Sequence, residues 1–167
     1  MRHDGAMQLS HSAVYDAPLD QVYAMLTDPG FREYAARRSG VLEVTVDVTQ
    51  HGEGHTVRME QVQPVQGVPG FAKKFAGDST DVVVEEVWSS PASATLVVET
   101  PGKPTRVEGS FTLVEMGGRT TQKFEGTCSV TVPLIGGKLE KVMGSLFVEG
   151  REAETQSARS WLSGERA

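Results

Sequence analysis

The chain has 167 residues, of which 38% are hydrophobic and 23% charged, with a formal net charge of −6. That length suits one domain with a sizeable core, and that balance belongs to a soluble globular protein. The acidic surplus argues against nucleic acid or an anionic membrane as partner, no apolar run approaches the ~20 residues of a membrane span, and Cys128, the single cysteine, can close no internal disulfide.

Met1-Arg2-His3-Asp4-Gly5 has no apolar segment behind it, so no signal peptide is expected and the cytoplasm is the expected compartment. Residues 1–6 read as a polar lead-in. Met7 to Tyr15 reads as a strand with Leu9, His11, Ala13 and Tyr15 on one side. Pro18 suits the first turn of a helix that buries Val22, Tyr23 and Leu26, with Met25 a further candidate, and stops at Asp28-Pro29. Gly30 to Arg38 forms a second short helix with Phe31, Tyr34 and Ala35 inward, ended by Ser39-Gly40. Leu42 to Thr49 alternates strictly, so it is a strand with one dry face, and it returns through His51-Gly52-Glu53-Gly54 as His55 to Gln63.

Pro64 to Asp78 breaks the strand rhythm. Its apolar Val68, Phe71, Ala72, Phe75 and Ala76 suit a short helix opened by Pro69, read as a flap over one end of a sheet. Asp81 to Ser89, Ala94 to Thr100 and Thr105 to Glu115 are further strands, and Arg119 to Val132 is the last and longest. After Pro133-Leu134-Ile135-Gly136-Gly137 comes a helix with an apolar stripe of Leu139, Val142, Met143, Leu146, Phe147, Ala153, Ala158, Trp161 and Leu162. The charge run Glu149 to Arg159 carries both signs and reads as a solvated face. A stripe that long needs a curved antiparallel sheet to cover it. Gly109 and Gly126 interrupt the inward rows of that sheet, which favours a concave, partly empty surface. The expectation is a pocket between helix and sheet.

That element order, with "YDAPLDQVYAMLTDPGF" (Tyr15 to Phe31) and "VEEVW" (Val84 to Trp88), resembles the helix-grip fold of the START/Bet v 1-like (SRPBCC) superfamily. This superfamily includes START-related lipid-transfer domains, plant pathogenesis-related allergens and polyketide cyclases. "FAKKFAGDSTDVVVEEVW" (Phe71 to Trp88) and the Trp161-Leu162 ending look like an uncharacterised actinobacterial family within it, DUF2505-like. The resemblance implies an α+β helix-grip domain spanning residues 1–167. It would comprise a seven-stranded curved antiparallel sheet, two short helices after strand 1, and a long C-terminal helix packed across the concave face. It carries over no catalytic residue, because that family has no established catalytic motif to match, and it says little of function, because one fold hosts many functions.

The expected function is binding or transport of a small hydrophobic ligand, lipid-like or polycyclic. The expected lining is His11, Tyr15, Tyr34, Met59, Phe71, Phe75, Trp88, Phe111, Phe124, Cys128, Met143 and Phe147. Taken singly, each of these is more often core than ligand wall. Two alternatives stand beside this: a protein-interaction module without a ligand, and a cyclase/aromatase-like enzyme using His11, Tyr15 or Tyr34 as general acid or base. Carboxylates sit mostly at outward positions or turns, which disfavours the enzyme. His51 and His55 lie across a turn, where their rings need not converge on a metal, and Cys128 reads as a buried, inert thiol. No catalytic residue, metal or cofactor is assigned. Nucleic acid and stable membrane insertion are not expected, and a homodimer is allowed.

Overall fold

The computed structural model describes residues 6–165; of the N-terminal lead-in read at residues 1–6, residues 1–5 lie outside them. The elements run β1 (Met7–Tyr15), α1 (Leu19–Leu26), α2 (Pro29–Arg38), β2 (Glu43–His51), β3 (Gly54–Pro64), α3 (Gly70–Ala76), β4 (Ser79–Ser90), β5 (Ser93–Glu99), β6 (Thr105–Met116), β7 (Arg119–Val130) and α4 (Gly136–Leu162). The seven strands form one antiparallel sheet in the order β1-β7-β6-β5-β4-β3-β2. The chain is therefore a meander whose first strand crosses over to pair with the last. This is the helix-grip α+β architecture expected from the sequence.

Local chemistry sets the boundaries. Asp28 opens α2 by accepting the Gly30 N–H at 2.8 Å, with Pro29 in the first turn where its missing donor costs nothing. β7 ends at Val130, two residues short of the expected Val132, where Glu140 Oε2 takes the Val130 N–H at 2.9 Å.

Register decides which side chains face α4. One inward row runs His55, Trp88, Ala94, Phe111, Phe124 and His11. The next runs Val48, Val57, Glu86, Leu96, Gly109, Gly126 and Leu9, and the third Val46, Met59, Val84, Val98, Val107, Cys128 and Met7. α4 crosses β1 at Gly144, where a Cβ would stand 2.7 Å from Met7 Sδ and 3.1 Å from Leu9 Cδ2. Glycine there lets the helix backbone lie directly on the strand. α2 flanks α4, with the Phe31 and Trp161 rings edge to face at 5.6 Å.

Two expectations are corrected. Leu146 does not belong to the buried stripe; it is 41% exposed, while Arg151 and Thr155 face inward at 8% and 3%. The gap at Gly109 and Gly126 is not empty either, because the Phe124 ring lies over both. Its Cζ is 2.7 Å from where either Cβ would be. A ring covering paired strand glycines restores the packing they give up.

Candidate functional site

The concave face is not evenly covered. On β4, inward-facing Val82, Glu86 and Trp88 are buried, yet Val84 between them is only half-buried. On β5, Ala94 and Leu96 are buried, as is Thr100 just beyond it, yet Val98 is half-buried. Val84 and Val98 are direct cross-strand partners, and the row continues outward through buried Met59 to half-buried Val46. A solid interior bounded by buried rows on both sides would bury this row too. Half-buried Met143 and Phe147 of α4 pack on the same core. Val46, Val84, Val98, Met143 and Phe147 are thus only half-buried against the core of the concave face.

Towards β6 and β7 the concave face is solidly packed. Trp88 and Phe111 stack at 6.1 Å between centroids, Phe111 and Phe124 meet at 5.2 Å, and Phe124 and Phe147 at 5.0 Å. Beside this aromatic run lies a group of charges that the sequence reading missed. Arg32 of α2, 1% exposed, donates from NH2 to Glu86 Oε1 at 2.5 Å, from NH1 to Glu154 Oε1 at 3.1 Å and from Nε to the Leu26 carbonyl at 2.8 Å. Glu86 also accepts the Trp88 indole N–H at 2.9 Å. Glu154 accepts from Arg151 NH1 at 2.7 Å, and the Arg151 guanidinium lies 4.9 Å over the Phe111 ring.

Two cations meet two anions, so the cluster is neutral, as a dry interior requires. Burial alone would push the Glu154 carboxyl up, but Arg151 and Arg32 outweigh it and hold it below the usual carboxylate range. Burial would likewise ease the proton off Arg32, yet Glu86 and Glu154 keep its pKa above the ordinary value. Glu86 and Glu154 thus each face an arginine, while the third buried carboxylate, Glu140, accepts the Val130 N–H. The expectation that Asp and Glu sit mostly outward or in turns fails for Glu86 and Glu154, and the solvated reading of 149–159 fails for Arg151 and Glu154, while Glu149, Glu152 and Arg159 are exposed.

The other expected residues fall in different places. Tyr15 is fully buried with its hydroxyl 3.3 Å from Gln122 Oε1, and its pKa is raised mainly by burial. His11 Nε2 meets Glu152 Oε1 at 2.6 Å, tying β1 to α4. Tyr34 lies at the surface side of α2, between Trp161 and the Arg38 guanidinium. Phe71 is 36% exposed, whereas Phe75 packs half-buried against the Ala72, Val130 and Leu139 cluster. Cys128 is fully buried, with its thiol pushed up to about 11 by burial and then by Glu140. His11 is paired with Phe124, four residues along β7 from Cys128, which puts roughly 13 Å of strand between them. His51 Nε2 lies 2.8 Å from Thr56 Oγ1, and His55 Nδ1 lies 2.6 Å from the Tyr23 hydroxyl, so the two rings serve different partners.

Comparison with known proteins places this geometry. Residues 10–162 match the model of a family described as "Protein of unknown function (DUF2505)". None of the curated proteins matches the chain in sequence. Among solved structures, a protein of Thermus thermophilus superposes with a TM-score of 0.65 at 21% identity, over 92% of this chain and 94% of its own. The Zhui aromatase/cyclase of Streptomyces gives 0.64 at 11% identity, over 93% and 92%. A START superfamily protein of Mycobacterium smegmatis gives 0.62 at 12%, over 93% and 97%. At these identities the likeness is one of fold.

Proposed function

The chain belongs to the DUF2505 family, and we propose that it binds a small hydrophobic ligand, lipid-like or polycyclic, in a hollow between β2–β5 and α4. The observation that carries this reading is the half-buried Val84–Val98 pair, set among buried residues on the concave face. The fold shared with an aromatase/cyclase and a START superfamily protein supports it. Met59, Met143 and Phe147 supply adaptable walls, the aromatic run a rigid one. Burying ~300 Å² of apolar ligand surface is worth roughly 7 kcal/mol gross, and immobilisation removes much of it, so affinity in the micromolar range follows without strong polar contacts.

The test is displacement of a fluorescent apolar probe by a panel of fatty acids, phospholipids and polycyclic aromatics. Competition by at least one class is expected. No probe binding and no competition across the panel would contradict the reading.

A second reading, acid–base chemistry on a cyclase-type substrate, has one observation in its favour. The Tyr23 hydroxyl and His55 Nδ1 are 2.6 Å apart, with the Tyr23 ring edge-on to Trp88 at 5.7 Å. Unchanged turnover of an aromatic polyketide-like substrate by Tyr23→Phe with His55→Gln would exclude that pair.

A further inference from the structure

The net charge of −6 conceals a polarised surface. Five of the chain's six lysines, Lys73, Lys74, Lys103, Lys138 and Lys141 (Lys123 is the sixth), lie on three segments that the fold gathers at one end of the sheet. α3 carries the first two and packs through Ala72 on Val130 and Leu139, beside Val132 and Ile135. The turn bearing Lys103 joins the same end, since the Thr131 N–H donates to the Pro104 carbonyl at 2.9 Å. Lys138 and Lys141 stand on the first turns of α4, and all of these except half-buried Lys103 are exposed. Acids stand at this end too, but most are tied up or turned away: Asp78 is bridged by Lys73 at 3.2 Å and Glu99 by Arg106 at 2.9 Å, Glu140 turns inward to Val130, Glu149 lies further along α4, and exposed Asp81 lies near the start of β4.

At the tip of this basic end stands Leu134, 102% exposed and held at φ 72°, the one non-glycine residue with positive φ among those described. An L residue pays for that conformation, and nothing inside the protein rewards this side chain. Phe71, 36% exposed, projects from α3 nearby. Bare apolar side chains ringed by long cations are what the boundary between lipid headgroups and acyl chains accepts.

We propose that this end docks reversibly on an anionic lipid surface. Leu134 and Phe71 enter the acyl boundary, and the lysines meet lipid phosphates. No described helix is long and apolar enough to cross a membrane, so the contact is peripheral. The docked face includes α3, the flap at one end of the hollow. The proposal stands apart from the ligand reading, because its test contains no ligand.

The test is co-sedimentation with phosphatidylcholine vesicles, with and without about 30% phosphatidylglycerol, at about 0.1 M salt. The parent is expected to sediment with the anionic vesicles only and to release as salt rises. Leu134→Gly, whose backbone suits φ 72° and which therefore keeps the fold, should lower partitioning about tenfold. Lys74→Glu with Lys138→Glu should lower it at least about tenfold. Unchanged partitioning in either variant would overturn the proposal. Absence of sedimentation with anionic vesicles would also overturn it, leaving the patch to an acidic protein partner.

Discussion

Replacing Arg32 by methionine keeps the volume of the side chain and removes its charge. The change strips Glu86, itself 2% exposed, of its cation, leaving the Trp88 indole as its remaining hydrogen-bond partner shown here, and it orphans the Leu26 carbonyl. Glu154 keeps Arg151 at 2.7 Å and is the lesser loss. Breaking a buried pair from one side costs about 3–5 kcal/mol, a large share of the ~5–15 kcal/mol that holds a domain together. Adding Glu86→Leu removes the stranded carboxylate. The double variant should then be only about 1–2 kcal/mol below the parent, mainly from the unpaired Trp88 N–H and Leu26 carbonyl. Urea unfolding followed by the fluorescence of the two tryptophans measures all four corners of this cycle. A single-variant cost below about 1 kcal/mol, or costs that simply add, would refute the view that these charges are buried and mutually dependent.

The same cluster sets a pH dependence. Glu154 titrates lower folded than unfolded, so its contribution is fully present above about pH 4.3 and is lost as pH falls through its folded value. Acid unfolding monitored by circular dichroism should show this loss, and Glu154→Gln should flatten the slope in that range. Gly109→Ala should destabilise by about 2 kcal/mol or more, since its Cβ would sit 2.3 Å from the Glu125 carbonyl oxygen, while Gly137→Ala, with open space around it, should be neutral or mildly stabilising in thermal melts. Cys128 should resist Ellman's reagent at pH 8 in the native state and react on unfolding, because its thiol is fully buried and pushed up to about 11.

Much of the fold was legible because strand alternation and helix phase are local. Val82, Val84, Glu86 and Trp88 share one face, and β1 emerged with its expected bounds. The charged cluster had a signal too. Arg151 and Thr155 lie in phase with Leu139, Met143, Phe147 and Ala158, and Glu86 keeps the inward period of β4. Charge in a helix usually faces water, so phase alone does not mark these side chains as buried. Which charges neutralise one another depends on α2, β4 and α4 meeting, across separations of 54 and 122 residues. No local pattern carries that. Glycine rows told a similar half-truth: they marked close strand approach correctly, but the ring that fills the gap belongs to Phe124 on the same face.

The hollow itself is tested most directly by the stability of Val84→Phe, read as the urea midpoint. If the space beneath α4 is open, the larger ring fits with a change below about 1 kcal/mol and occupies the volume a ligand would need. A loss of about 1–3 kcal/mol, the cost of overpacking a filled core, would contradict it.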